Sequence, residues 1–331
     1  MKYINKHFLL KIFLYSACLI FFIILSYLNF SFNNNVYNID NKILEIKKGA
    51  SVSSSISDLK IKNIINSQFR FKILSYLYDF KPKFINGKYK ILKDETEFTL
   101  LKKIVNGDVI QESITIVEGS TYLDIINILK NSDSINISEY DISYENMSFF
   151  STKLTSLEGL CFPDTYKFSP GINLDNFLST CFANMEKILM KYWRNRDYSL
   201  PYSTPYEMLI MASIIEKETS IQSEKPIVSS VFINRLNNNM RLQADPTVIY
   251  GIKNYKGNIT KKDLNSKNEY NTYKIDGLPK TPICSPGESS IEAASKPTES
   301  DFLYFVANNK GKHIFSKNYS DHMKAVNKYQ K

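Results

Sequence analysis

Residues 208–215, which read "MLIMASII", restrict the possible folds of this chain more than any other stretch. A helix that is apolar on every side has to be buried on every side. The start of this helix is well marked, because Thr204 suits the N-cap, Pro205 suits the first helical position and Glu207 completes a capping box. The sequence therefore predicts a helix from Pro205 to about Thr219 inside a packed domain.

The predicted helix ends in "EKET", where helical phase separates two glutamates. At about 100° per residue, Glu218 lies over Met211, Ile214 and Ile215 and extends the apolar stripe, whereas Glu216 lies about 200° away. A carboxyl group in an apolar setting is desolvated, which raises its pKa. A raised pKa suits a general acid, which has to hold its proton near neutral pH.

Both glutamates could instead have an ordinary structural role at the end of the helix. A Glu at a helix end is usually solvated or paired, here with Lys217, Lys225 or Arg235. The negative end of the helix dipole also disfavours an ionised carboxylate there, and the same repulsion favours the protonated form. The local pattern leaves both interpretations open.

Polar side chains are dense downstream of this helix, in clusters separated by turn residues. Amides, hydroxyls and tyrosine rings supply the paired donors and acceptors and the flat apolar faces that a sugar-binding cleft needs. Taken singly, each also fits turn chemistry or capping, and Asp245 before Pro246 is typical of turn initiation. The candidate binding residues are Asn234, Arg235, Gln243, Asp245, Thr247, Tyr250, Asn271, Thr272 and Tyr273.

Composition excludes several function classes. The formal net charge is +9, but the lysines are scattered and no nucleic-acid motif occurs, so no nucleic-acid partner is predicted. Neither of the phosphate-binding motifs G-x-x-x-x-G-K and G-x-G-x-x-G is present, which argues against a nucleotide cofactor. The His residues are too dispersed to predict a metal site. Apart from Cys18, the cysteines are Cys161, Cys181 and Cys284, and their spacing is not that of a metal site. One disulfide bond among these three is possible, and the sequence does not assign its pairing.

An apolar, uncharged run covers residues 12–28 and, with its flanks, reaches the ~20 residues that span a bilayer. No small-residue cleavage site follows, so an uncleaved transmembrane helix is expected over 12–32. Three lysines precede the run and no Lys or Arg follows until Lys42. The positive-inside rule then places a tail at 1–11 in the cytoplasm and everything after about residue 33 outside it.

The outer part is expected to be α+β: a polar tether at 33–42, a small module at 43–108 and a larger domain at 109–331. A β-branched run, a turn at Gly49 and an amphipathic helix open the module, and the same plan recurs around Gly119. A strand–helix–helix–strand order would resemble the LysM glycan-binding module, with a generic α+β spacer as the alternative.

The larger domain is expected to contain a second helix over "KPIVSSVFINRLNNN", an irregular proline-rich stretch at 270–297 and a buried strand at 301–308 that continues as a hairpin. A polar helix is expected to close the chain.

Several long motifs resemble one family when they are taken in order. They are "LEGLCFPDTYKF", "ASIIEKET", "VFINRLNNNMRLQADPTVIYG", "YNTYKIDGLPKTPICSPGESSIEAA" and "LYFVANNKGKHIFS". Together they strongly resemble the endolytic murein transglycosylases, the YceG-like, MltG-type family, over roughly residues 43–329. The sequence departs from the pattern in the glycine-free loop "NNNM", at Lys280 and Thr281, and at Cys161 and Cys284.

The resemblance implies a bacterial inner-membrane enzyme whose catalytic domain is periplasmic. It would cleave the MurNAc–GlcNAc β-1,4 bond of nascent glycan strands, leave 1,6-anhydro-MurNAc ends and so limit strand length. The second Glu of the E-K-E-T motif, here Glu218, would be the catalytic acid, with no metal or cofactor. Asp164, Glu216 and Arg235 would support the site, and Asp245 would have an orienting or stabilising role there. Peptidoglycan synthases are implied partners.

Two other hypotheses fit the same residues. A non-catalytic glycan-binding scaffold of the wall-synthesis machinery would keep the anchor and the module and make Glu218 structural. A hydrolase would use water as the nucleophile and need a second carboxylate, for which Asp245 is the first candidate.

Overall fold

A computed structural model describes residues 6–32, 35–36, 42–137, 148–149, 152–153, 156–253 and 255–330. It divides into two compact units, one of residues 1–112 with 168–170 and one of residues 113–167 with 171–331. Helices alternate with two-stranded sheets, which confirms the predicted α+β class.

The chain begins with helix α1 (Lys6–Phe32). Within the described ranges, no helix combines the length and the apolar character that crossing a membrane requires. The transmembrane helix expected at 12–32 therefore stays a prediction. The expected tail at 1–11 and tether at 33–42 fall partly outside the described residues.

The first unit continues as β1 (Ile43–Ile46), α2 (Val52–Ile61), α3 (Gln68–Tyr78), β2 (Gly87–Lys90) and α4 (Glu97–Asn106). β1 pairs antiparallel with β2, so the order β1–α2–α3–β2 is strand–helix–helix–strand. Ser51, Ser67 and Thr96 accept backbone hydrogen bonds at the three helix N-termini, the role of an N-cap side chain. The unit has its own apolar core around Tyr89 and Phe71.

The remaining elements follow in chain order. They are β3 (Glu112–Thr115), α5 (Tyr122–Lys130), β4 (Ile135–Asn136), β5 (Ser148–Phe149), β6 (Thr152–Lys153), β7 (Thr165–Phe168), β8 (Ile172–Asn173), α6 (Leu174–Arg194), α7 (Pro205–Glu218), α8 (Lys225–Asn237), α9 (Asp245–Tyr250), α10 (Lys261–Asn265), α11 (Glu288–Ser295), β9 (Tyr304–Ala307), β10 (His313–Ser316) and α12 (Tyr319–Tyr329).

Helix α7 is the buried helix that the apolar run predicts, since every residue from Met208 to Ile215 is buried. It packs against α6, α8, α9 and α11. Its position gives the second unit a core, and it brings the C-terminal turn of α7 to the site described below.

The expectation of an irregular stretch at 270–297 was wrong for its last part, which contains α11. Serines and alanines dominate this helix and hide its apolar period from a reading of the sequence. Those small side chains are useful in the fold, because Ser290, Ala293 and Ala294 are buried where α11 packs against α7. Tertiary packing decides the helix here, not local propensity.

The C-terminal part of the second unit is a β-hairpin followed by a helix. β9 and β10 pair antiparallel, with Val306 opposite Ile314, as the sequence predicts. The polar helix α12 packs on both strands. Elsewhere in the unit, Cys161 and Cys181 form a disulfide, and Cys284 is free and buried.

Candidate active site

The caps of α7 set where its last turn ends. The Thr204 hydroxyl accepts from the backbone N–H of Glu207 at 3.2 Å, and Pro205 occupies the first turn. The other half of the expected capping box is shifted by one residue, because the Glu207 carboxylate accepts from the N–H of Ser203 at 2.6 Å. α7 ends at Glu218, with Thr219 as its C-cap.

Glu218 lies at a cavity of about 400 Å³ in the second unit. Of the predicted site residues, the cavity brings together the proposed acid and four others from α8, from the loop before α9, from α9 itself and from the 270–281 loop. The remaining wall comes from the β9–β10 hairpin and α12. Its lining residues include Glu218, Arg235, Gln243, Asp245, Tyr273, Tyr304, His313, Tyr319 and His322.

The electrostatics of Glu218 match the direction that its helical phase predicts. Burial and, to a lesser extent, the charge of Asp245 raise its pKa to about 8, while the charge of Arg235 lowers it. Among the described residues, none forms a hydrogen bond that affects the pKa of Glu218. The carboxyl group is therefore protonated at neutral pH, with its proton not committed to a neighbour.

Arg235 is held rigidly beside this group. Its Nε donates to the Leu303 carbonyl at 2.7 Å and its Nη1 donates to the Leu242 carbonyl at 2.7 Å. The guanidinium also lies 5.2 Å from the centre of the Tyr304 ring. These contacts fix a positive charge at the cavity, which opposes the pKa rise of Glu218 without forming an ion pair with it.

Asp245 and Gln243 complete the polar part of the cavity. Asp245 begins α9, and its Oδ1 accepts from the Tyr273 hydroxyl at 2.6 Å. Gln243 has a backbone φ of 49°, a left-handed conformation that costs a non-glycine residue energy. Its N–H donates to the Thr272 carbonyl at 3.2 Å, which ties the loop to that conformation. Strain of this kind tends to be kept at binding and catalytic sites.

Glu216 faces a different part of the protein, as its phase predicts. Its Oε2 accepts from Lys225 Nζ at 3.1 Å, from the Gly287 N–H at 3.0 Å and from the Ser290 hydroxyl at 2.7 Å. Both charged side chains are nearly inaccessible, at 7% for Glu216 and 3% for Lys225. Of the three cations considered as partners, Lys225 is the one that pairs with Glu216. This carboxylate joins the ends of α7, α8 and α11.

Other predicted binding residues lie outside the cavity lining. Thr247 is buried and bonds to the Ala244 carbonyl and the Thr272 hydroxyl, at 2.7 and 2.8 Å. Asn271 is also buried, and its amide nitrogen donates to three backbone carbonyls at 263, 264 and 266. Both side chains form their hydrogen bonds with nearby protein groups and so stabilise the local backbone conformation. The structure therefore does not bring them to Glu218.

Three more predicted residues have local roles. The Asn234 amide nitrogen donates to the carbonyls of Ser300 and Phe302, which ties α8 to the segment before β9. Asp164 is exposed and accepts from the N–H of Thr165 at 2.7 Å. Tyr250 donates its hydroxyl hydrogen to Glu158. None of these side chains lines the cavity.

Comparison with known proteins agrees with this architecture. The description of the YceG-like family matches residues 44–328. The chain belongs to the YceG-like family. The endolytic murein transglycosylase of Bacillus subtilis (strain 168) is 30% identical to it over 307 residues, which cover 86% of this chain and 84% of that protein.

Two further relatives of this YceG-like protein differ in coverage. The endolytic murein transglycosylase of Streptococcus pneumoniae (strain R6) is 34% identical over 177 residues, covering 51% of this chain and 32% of that protein. A solved YceG-like protein of Listeria monocytogenes superposes with a TM-score of 0.54 at 31% identity, covering 87% of this chain and 99% of the other.

The YceG-like chain has a further buried carboxyl group, Glu158, that the sequence did not single out. It is 4% exposed and accepts from the Tyr122 N–H and the Tyr250 hydroxyl, both at 2.9 Å. Desolvation raises its pKa. The next residue, Gly159, has a φ of 76° and no room for a Cβ against Pro282, so glycine is required there. A Glu inside the motif "LEGL" was the available signal.

The aromatic wall of the cavity was also missed. Tyr304, Tyr319 and His322 lie in elements that the sequence identifies only as a buried strand and a polar helix. The available signal was the three-residue spacing of Tyr319 and His322, which places both on one helical face.

Proposed function

We propose that this protein is an endolytic lytic transglycosylase that cleaves the MurNAc–GlcNAc β-1,4 bond of peptidoglycan and leaves 1,6-anhydro-MurNAc ends. The observation that carries the proposal is Glu218, a carboxyl group protonated at neutral pH in a cavity of about 400 Å³. Membership of the YceG-like family and the names of the relatives support the substrate and the reaction.

The reaction needs one carboxyl group acting twice. Glu218 gives its proton to the glycosidic oxygen as the C1–O bond breaks, and the sugar develops oxocarbenium character. The C6 hydroxyl of the same MurNAc attacks C1 and closes the 1,6-anhydro ring. Its proton passes to the Glu218 carboxylate, so the enzyme returns to its starting state and no water is consumed.

The surrounding side chains fit this sequence of events. The Asp245 charge and burial keep Glu218 protonated before cleavage. Arg235, fixed by two backbone carbonyls, stabilises the carboxylate that exists between the two proton transfers. The glycan would lie against Gln243, Asp245 and Tyr273, which share the cavity with the acid.

The cellular setting is part of the same proposal. An anchor over 12–32 with residues 1–11 in the cytoplasm would place the catalytic unit outside the plasma membrane, where nascent glycan strands occur. The apolar run and the lysine asymmetry support this orientation. Cleavage there would limit strand length, and peptidoglycan synthases would be natural neighbours.

Asp245 supports one alternative, a hydrolase. It lines the same cavity as Glu218, and a second carboxylate is what activation of a water molecule requires. The two reactions differ in their products, because hydrolysis leaves a reducing end that contains one additional water.

The test is digestion of purified peptidoglycan by the full-length chain, followed by mass spectrometry of the new ends. We expect anhydro ends from the wild-type protein and none from Glu218→Gln. Reducing ends would support the hydrolase instead. Binding of glycan without any cleavage product would reject both reactions and leave the scaffold hypothesis.

A further inference from the structure

The second wall of the cavity consists of three rings from two elements. Tyr304 belongs to β9, and Tyr319 and His322 lie three residues apart on one face of α12. The His322 ring stacks on Tyr304 with a centroid distance of 5.1 Å and an interplanar angle of 23°. Tyr319 meets Tyr304 at 6.0 Å and 60°. All three side chains line the cavity that contains Glu218.

These rings are not arranged as a core. Tyr319 is 61% exposed, although it stands at the start of the helix face that packs on the hairpin. The Nδ1 atom of His322 is buried and has no hydrogen-bond partner among the described residues. An unpaired buried polar atom costs about 1–3 kcal/mol, which an apolar side chain at the same place would avoid. Packing alone therefore does not explain this cluster.

Arg235 also contacts the cluster. The Arg235 guanidinium lies 5.2 Å from the Tyr304 ring centre, and its backbone hydrogen bonds fix its own position. Tyr304 thus contacts both His322 and Arg235. A rigid aromatic surface next to an open cavity presents flat apolar faces to a ligand at little cost in conformational entropy.

We propose that Tyr304, Tyr319 and His322 form a glycan subsite in which the apolar face of an N-acetylhexosamine ring packs on the exposed Tyr319 ring, beside the sugar whose bond Glu218 breaks. The choice of a sugar polymer as ligand rests on the proposed function. The subsite itself rests on the exposure and geometry of the rings.

Direct binding tests the subsite without requiring cleavage. Full-length Glu218→Gln protein is titrated calorimetrically with peptidoglycan glycan fragments of increasing length, with and without Tyr319→Ala. We expect Tyr319→Ala to weaken the Kd about tenfold, the size of a lost ring contact. Tyr319→Phe keeps the ring and should bind like its parent. Tyr198→Ala is the matched control, because Tyr198 is 74% exposed and does not line the cavity.

The outcomes separate the subsite from the reaction. Equal Kd values for the parent and Tyr319→Ala, or an equal loss in Tyr319→Phe, would overturn ring stacking. Absence of binding by the parent to every fragment would overturn it as well. If the wild-type chain forms no anhydro ends but Tyr319→Ala still weakens binding, the proposed reaction fails and the subsite stands. Thermal melting of each variant shows that the binding change is not loss of fold.

Discussion

Glu216 and Glu218 leave the same turn of α7 and enter opposite surroundings. Glu216 accepts three hydrogen bonds through one oxygen and pairs with a buried lysine. Glu218 faces a cavity, and no hydrogen bond lowers its pKa among the described residues. The carboxylate with three hydrogen bonds stabilises the junction of α7, α8 and α11. The carboxyl group without such partners keeps a proton that it can transfer.

The buried Arg70–Glu97 pair of the first unit follows the pattern of Glu216. Arg70 Nη2 lies 2.8 Å from Glu97 Oε1, and Glu97 also accepts from the Asn66 N–H at 2.7 Å. Glu97 and Glu216 are thus each compensated by a cation and by hydrogen bonds. Glu218 is notable because its surroundings remove water without supplying that compensation.

The largest effect is expected from Glu218→Gln, which removes the transferable proton and keeps the shape. We expect the cleavage rate on peptidoglycan to fall by about 10²–10⁴, the usual contribution of a general acid. The measurement is the rate of release of anhydro products. Glu186→Gln, an exposed carboxylate on α6, is the matched control and should retain its rate. Cleavage by Glu218→Gln at the wild-type rate would show that Glu218 is not the catalytic acid.

The contrast between the glutamates was predictable because it depends on local geometry. Helical phase and the caps at Thr204 and Pro205 set the direction of each side chain before any tertiary contact is known. Glu207 shows the limit of this approach. Its carboxylate bonds to Ser203 and not to Thr204, since the path of the preceding loop decides which N–H is within reach.

The polar residues of the later loops were harder to predict because their partners are distant in sequence. Thr247 and Asn271 have the same chemistry as a sugar-binding side chain, yet both are buried and bond to neighbouring backbone or side-chain groups. Tyr319 and His322 show the converse. They lie in a polar helix whose sequence pattern does not reveal that one of its faces borders a cavity.

The next largest effect concerns the structural side of the comparison. Glu216→Gln leaves the buried Lys225 without a counter-charge, so we expect the free energy of unfolding to fall by about 3–5 kcal/mol. Urea denaturation measures this change. Asp301→Asn is the control, because the Lys317–Asp301 pair is 63% and 82% exposed and such a pair contributes about 0–1 kcal/mol. A Glu216 variant no weaker than this control would show that the ion pair is not structural.

A comparable effect should appear in the pH dependence of stability. The folded chain keeps the Glu218 proton up to a pKa of about 8, whereas the unfolded chain releases it near 4.5. The folded state therefore binds more protons over this window, and its stability falls as pH rises, by at most about 1.4 kcal/mol per unit. Glu218→Gln lacks this loss, so its advantage should grow from about pH 4.5 to about pH 8 and then level off.

Denaturation of both proteins at several pH values measures this difference. Glu158 also has a raised pKa, but it is present in both chains and cancels in the comparison. A constant difference between the two proteins across the window would show that Glu218 ionises at its ordinary pKa.

The smallest effect tests what Asp245 adds to burial. Its charge raises the pKa of Glu218, so Asp245→Asn should lower that pKa while keeping an oxygen for the Tyr273 hydroxyl. Since the acid must be protonated to act, kcat/KM of the wild-type protein should decline above about pH 8. In Asp245→Asn that decline should begin at lower pH. The shift should be modest, because desolvation is the larger cause and is unchanged.

The pH profile of kcat/KM on peptidoglycan measures the shift, and Asp164→Asn serves as the control because that carboxylate is exposed and outside the cavity. A decline that moves to higher pH in Asp245→Asn would reverse the assigned sign. Complete loss of activity at every pH would instead give Asp245 a direct part in the chemistry and favour the hydrolase. Only a downward shift with activity retained leaves Glu218 as the single acid and base of the reaction.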